Sequence, residues 1–219
     1  MMTPHLLCRI GWHALMTGVC SIVLVATATT GALGDPRDKQ RWNEKYSEEV
    51  YRFGKDPIPF LVDQVDRLPK GKVLDVAMGE GRNGVFLATK GFQVTGIDIS
   101  ERGLQKAQAL AAERGTMIET RVADLEEVEL ESGAYDVVLC TYYLDRSLIP
   151  KMKAAVRSGG MVVMETYTLD YQRYRPEFRK DYLLKTNELL DLFRDFTIIH
   201  YQLQDTGQAV FASIIAQKP

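Results

Sequence analysis

Three aspartates at the ends of apolar runs carry the chemistry of this chain. Asp75 lies inside the run 72–76, Asp98 closes 93–97, and Asp124 follows 117–122. The first run continues as Val73-Leu-Asp75-Val-Ala77-Met-Gly79-Glu-Gly81-Arg-Asn83-Gly84, a strand passing into a glycine-rich turn and then a helix. Such a turn needs glycines because a side chain there would hold a bound molecule away from the strand end. In a parallel sheet the three carboxylates gather along one edge, at the crevice outside the carboxyl ends of the strands where α/β folds bind ligands. Together they read as a pocket for a nucleoside-bearing cofactor. Alone, Gly79-x-Gly81-x-x-Gly84 also satisfies the dinucleotide fingerprint, and a single Asp serves equally well as a helix cap or turn residue.

The elements that position these residues alternate between strand and helix. An amphipathic helix over Asp38–Ser47 and a second over Ile58–Leu68, with Pro59 early, precede the strand Lys72–Val76. A crossover helix Arg82–Lys90 stops at Gly91, and the strand Gln93–Asp98 follows. Ser100 caps a helix to Arg114, and Gly115 leads to the strand Met117–Val122. The strand Tyr135–Cys140, a helix over Ser147–Val156, the turn Ser158-Gly-Gly160 and the strand Met161–Tyr167 come next. A helix from Thr186 or Asn187 to Phe193 precedes two β-rich runs, Phe196–Gln204 and Gln208–Ala216, joined by a hairpin turn at Asp205-Thr-Gly207.

This pattern resembles the class I S-adenosylmethionine-dependent methyltransferases, whose motif usually reads Asp/Glu-x-Gly-x-Gly-x-Gly; Ala77 stands here at the first glycine. The fold implied is an α/β Rossmann-like sandwich, a mostly parallel seven-stranded sheet with an antiparallel C-terminal strand. The resemblance implies S-adenosyl-L-methionine as cofactor. Asp98, with Ile99 beside it, matches the acid that takes both ribose hydroxyls, and Asp124 and Leu125 match the pair at the adenine. Ala77, Gly79, Gly81 and Asn83 belong to the turn beside the methionine part, and Asp75 matches the acid that orients that turn.

Arg41-Trp42-Asn-Glu-Lys-Tyr46, Phe53-Gly54-x-x-Pro57-x-Pro59-Phe60 and Gly79-Glu-Gly-Arg-Asn-Gly84 narrow the resemblance to the small bacterial tellurite-resistance and thiopurine S-methyltransferase group. There the first helix and the following loop fold over the cofactor, so Trp42 and Tyr46 are candidates for a lid; simple packing on the sheet is the other reading. The family places the end of the fourth strand, Cys140-Thr141-Tyr142-Tyr143, between cofactor and acceptor. Cys140 would border the cofactor as a small buried residue rather than act as a nucleophile, because no His or Lys nearby in sequence activates it. Tyr142 and Tyr143 are the candidates at the reacting methyl, where a ring face or hydroxyl favours a cationic sulfonium; filling the seam between sheet and helix is the alternative. On the acceptor side stand Tyr167, Arg173, Arg175 and Arg179. These arginines suit an anionic acceptor or else form a solvated charged loop.

The implied reaction is methyl transfer to a small molecule, with a thiol or a chalcogen oxyanion preferred. O- or N-methylation of a metabolite, a non-catalytic nucleotide-binding module and a dinucleotide oxidoreductase stay open. With 27 basic and 29 acidic side chains the chain has no electrostatic footprint for nucleic acid. It also lacks the clustered Cys and His of a zinc site, so no metal is expected.

Residues 1–34 form a separate apolar segment before a domain over 35–219. Ile10 to Gly34 holds no formally charged residue. It reads as a membrane anchor, as a cleaved signal peptide with small residues near Ala26-Thr-Ala28 or Gly31-Ala32, or as the product of an upstream mis-assigned start. Arg9 precedes the run while Arg37, Lys39 and Arg41 follow it, so the positive-inside tendency puts the domain in the cytoplasm, tethered at the inner membrane or free.

Overall fold

The computed structural model describes residues 36–219. The segment expected to anchor or export the chain lies outside them. Among the described residues no helix is long and apolar enough to cross a membrane.

Helix α1 (Pro36–Lys45) and the short α2 (Pro59–Gln64) precede the first strand, β1 (Lys72–Val76). Then follow α3 (Arg82–Thr89), β2 (Gln93–Asp98), α4 (Glu101–Glu113), β3 (Glu119–Val122) and β4 (Tyr135–Thr141). The chain continues through α5 (Ile149–Ala155), β5 (Val156–Tyr167), α6 (Glu188–Leu192), β6 (Thr197–Asp205) and β7 (Val210–Gln217). One seven-stranded sheet has the order β3-β2-β1-β4-β5-β7-β6. All neighbours run parallel except β7, which is antiparallel to both β5 and β6. This is the mostly parallel seven-stranded α/β sheet, antiparallel at its C-terminal strand, that the resemblance implied.

Strand parity divides the core between the two faces of the sheet. Leu74, Val76, Val138, Cys140, Val162 and Met164 meet Met152, Leu189 and Phe193 on one face. Val73, Val137, Leu139 and Val163 meet Leu61, Leu87 and Leu104 on the other. Alternation of side chains along each strand makes two separate cores out of near-continuous apolar runs.

Several boundaries differ from expectation, among them the second helix, which ends at Gln64 rather than Leu68. The strand expected from Met161 begins at Val156, because Val156 pairs with Tyr135 and a bulge between Tyr135 and Val137 absorbs the extra residues. β3 starts at Glu119, leaving Met117 88% exposed. The fifth helix starts at Ile149 because Asp145 Oδ1 accepts from both the amide and the hydroxyl of Ser147, a local turn that competes with helix.

Candidate functional site

Beyond the ends of β1, β2 and β4 the chain encloses a cavity whose wall includes Ala77, Gly79, Gly81, Asp98, Asp124 and Tyr142. The turn after β1 is the first part of it. Met78 donates its amide to the Ile97 carbonyl at 3.0 Å, so the chain leaves β1 across the end of β2. Ala77, Gly79 and Gly81 all take left-handed backbone, with φ of 56°, 56° and 85°. Ala77 adopts the conformation of the glycine it replaces, at a cost of roughly 1 kcal/mol. At Gly79 a Cβ would also lie 2.8 Å from the Tyr46 hydroxyl.

Asp98 ties this turn to the next helix. Its Oδ2 accepts from the Gly79 amide and its Oδ1 from the Ser100 amide, each at 2.8 Å. Burial pushes its carboxyl above the usual range, opposed by amide donation from Ser100, Gly79 and Ile99. Ser100 caps α4 by accepting from the Gly103 amide, and its hydroxyl donates to Asn43 Oδ1 at 2.8 Å. That bond docks α1 over the site. Trp42 of α1 and Tyr46 just after it both reach the cavity wall, with ring centroids 5.5 Å apart. Asp124 serves as a turn residue, its Oδ1 accepting from the Glu126 amide, and it lines the cavity with Leu125 and Ile99.

Two residues expected at the cofactor lie elsewhere. Asp75 shares strand parity with Val73 and lies beneath α3, where the Gly84 amide donates to it. A Cβ at Gly84 would sit 2.6 Å from its carboxylate. Cys140 points to the opposite core face, fully buried, its thiol pushed up by burial, as suits a packing residue. Asn83 stays at the wall, donating to Thr141 Oγ1 and accepting from the Ile58 amide, both at 2.9 Å.

Burial raises the Asp75 carboxyl to about 8 from an ordinary 3.8. It is therefore protonated in the fold at neutral pH. Between those values the unfolded chain releases a proton that the folded chain keeps, so this group's stabilisation declines as pH rises, by at most about 1.4 kcal/mol per unit. Asp75→Asn should flatten that decline. Denaturant titrations of parent and variant at pH 5 and pH 8 should show the variant gaining on the parent at the higher pH. An unchanged difference between them would refute the protonated state.

Tyr142 and Tyr143 stand on the wall where they were expected. Tyr142 has φ of 56°, unusual for a bulky residue, and is over-determined by its partners. Its amide donates to the Glu165 carbonyl and its hydroxyl to Glu165 Oε1, both at 2.8 Å. The buried Glu165 is held in turn by the Ser213 hydroxyl at 2.6 Å. Burial pushes both tyrosine hydroxyls up, so they stay protonated.

The acceptor-side expectation is corrected. Tyr167 is stacked on Tyr171, centroids 4.2 Å apart, in an aromatic cluster behind Tyr142. Arg173 is exposed and pairs with Asp205 at 2.9 Å, and Arg179 is exposed and pairs with Asp181 at 3.0 Å. Arg175 is exposed as well. None of the four lines the cavity. The guanidinium that does belongs to Arg82, inside the glycine motif. Glu80, Phe53, Gly54 and Glu126 also reach the wall unanticipated. The only signal for Glu80 and Arg82 was their place between the motif glycines.

Residues 73–160 match the family described as a methyltransferase domain. A ubiquinone biosynthesis O-methyltransferase of Chromobacterium violaceum is 32% identical over 143 residues, 61% of this chain and 61% of the relative. Another, of Bordetella avium, is 36% identical over 134 residues, 58% of this chain and 56% of the relative. The chain thus spans about three fifths of the length of these curated relatives. TehB from Haemophilus influenzae superposes with a TM-score of 0.63 at 21% identity, over 83% of this chain and 67% of that one. Magnesium protoporphyrin IX methyltransferase from Synechocystis PCC 6803, solved with bound SAH, gives 0.61 at 20% identity over 84% and 95%. These likenesses show the fold.

Proposed function

We propose that this chain, which carries a class I S-adenosylmethionine-dependent methyltransferase domain, moves the cofactor's methyl group onto an oxygen of a small acceptor. The observation that carries the reading is one cavity bordered by a left-handed glycine turn, a buried strand-end Asp98 and Asp124, with two tyrosines at its β4 side. That arrangement fits the cofactor. Asp98 would hold the ribose, Asp124 and Leu125 the adenine, and Ala77, Gly79, Gly81 and Asn83 the methionine part. When bound, S-adenosylmethionine supplies a sulfonium methyl open to in-line displacement.

The protein's own contribution is position and exclusion of water. Trp42, Tyr46 and Phe53 cover the cavity from α1 and the following loop, while Tyr142 and Tyr143 form the wall across which an acceptor would approach. Oxygen is favoured as the accepting atom by the two O-methyltransferase relatives, whose similarity to this chain extends over more than half its length. The likeness to TehB is one of fold and carries no acceptor. A thiol or chalcogen oxyanion is the competing outcome.

Purified full-length protein given S-adenosylmethionine and a panel of catechols, amines, thiols, selenite and tellurite, with the demethylated cofactor as readout, tests this directly. Turnover with a hydroxylated acceptor is expected. Turnover confined to thiols or chalcogen oxyanions moves the accepting atom, and turnover with none overturns the enzymatic reading. We further propose that the domain faces the cytoplasm, where its cofactor is made and where the basic flank after residue 34 would keep it. A reporter fused at the C-terminus should be active only on the cytoplasmic side; export would refute this.

A further inference from the structure

The charges on the cavity wall divide along the sheet edge into paired and unpaired ones. Asp98, Asp124 and Glu126 lie on its wall at the β2 and β3 ends; Arg82, Tyr142 and Tyr143 lie at the β1 and β4 ends, where Glu80 also reaches the wall but is paired with Lys106, and Asp38 of α1 is paired with Arg41. Arg82 is half-buried and opens α3 directly after Gly81. Its Nη1 donates to the Phe53 carbonyl at 3.0 Å, and its guanidinium carbon stands 5.3 Å from the centroid of the Tyr142 ring. Among the described residues no carboxylate pairs with it, while Arg146, Arg157, Arg173 and Arg179 each have one. A guanidinium held by one carbonyl and one ring face keeps donors in its planar fork for a ligand. A half-buried cation with no carboxylate in ion-pair contact also favours an anion beside it.

We propose that Arg82 determines acceptor specificity by binding a carboxylate or ionised phenol oxygen of a flat acceptor that lies against the Tyr142 ring. The inference rests on the methyl-transfer reading above. It transfers to a motif residue the anion recognition that the sequence suggested for the arginines after β5. Tyr142 is fixed for this purpose by Glu165, so the ring that Arg82 covers cannot swing away without breaking a buried hydrogen bond.

The test uses 3,4-dihydroxybenzoate and its neutral methyl ester as matched probes on the full-length protein. Calorimetry with the S-adenosylhomocysteine-loaded protein should show tighter binding of the benzoate, and Arg82→Gln should weaken it by about 10- to 100-fold while the ester moves less than about threefold. In turnover the same loss should appear as a raised KM with kcat little changed, and Arg82→Lys should recover part of it. S-adenosylhomocysteine affinity should stay within about threefold of the parent, which separates this role from one at the cofactor. If both probes bind alike to the parent, or if Arg82→Gln weakens both equally, the proposal is wrong. Loss of S-adenosylhomocysteine affinity in the variant would instead assign Arg82 to the cofactor's own carboxylate. Charge-selective binding without turnover of any acceptor leaves Arg82's role standing and removes the methyl-transfer reading.

Discussion

Asp98→Ala should lose most cofactor affinity and destabilise the domain at once. Its carboxylate accepts two buried amides, from Gly79 and Ser100, and it is 6% exposed. Truncation leaves both donors unsatisfied beside the place where the turn and α4 meet. An unsatisfied buried donor costs about 1–3 kcal/mol, so for the two donors a stability loss of roughly 2–6 kcal/mol is expected. Loss of the proposed ribose contacts adds a loss in binding, on the order of 30- to 1,000-fold in S-adenosylhomocysteine affinity. Asp98→Asn keeps one acceptor oxygen but turns an N–H group toward a donor, so it should fall between parent and Ala. Calorimetry and urea titration on the same samples check both parts. Affinity within threefold of the parent would remove Asp98 from the cofactor site.

Lys106→Met should loosen the loop that covers the cavity. The ammonium forms an ion pair with Glu80 Oε1 at 2.5 Å and donates to the carbonyls of Glu48 and Val50 at 2.8 and 2.9 Å. The Glu80 side chain is only 3% exposed, and its other oxygen accepts from the Phe53 amide. Tyr51 adds a bond from its hydroxyl to the Lys106 carbonyl. Residues 48–53 are thereby strapped to α4 and to the glycine turn. Removing one partner of a buried pair costs about 3–5 kcal/mol, because the other charge stays in a poor environment. A fall in Tm and faster proteolysis within residues 47–57 are expected. Adding Glu80→Gln should recover a substantial part of the loss. A double variant no better than the single would mean that the strap, rather than the stranded carboxylate, carries the energy.

Much of the frame was legible because its signals are local. Val73–Val76, Gln93–Asp98 and Val137–Cys140 are apolar runs too short for helices, and Ser100 and Gly115 bracket a helix with a cap and a stop. The turn was legible for the same reason: left-handed backbone at 77, 79 and 81 calls for small residues, and they are there.

The residues that meet the cavity were legible where strand ends dictate them, as at Asp98, Asp124 and Tyr142, and where the motifs name them, as at Asn83, Trp42 and Tyr46. Asp75 shows the limit. Its motif position suggested the pocket, but parity with Val73 sends it under α3, and nothing local says which sheet face that helix covers. Cys140 fails likewise, being one residue away from the wall and on the other face.

The arginines show the sharper division. Arg173 and Arg175 share one short segment and Arg179 lies close by, the grouping that drew attention to them. Yet Asp205, on a hairpin distant in sequence, takes Arg173. Arg82 was lodged in a glycine motif and seemed incidental to it. By itself the sequence determined the order of strands and helices, the glycine turn and the acids at the strand ends, since each of these depends on periodicity or backbone conformation over a few residues. Only the tertiary structure decided which charges are neutralised and which face the cavity, because a charge's partner is set by the packing of segments that the chain holds far apart.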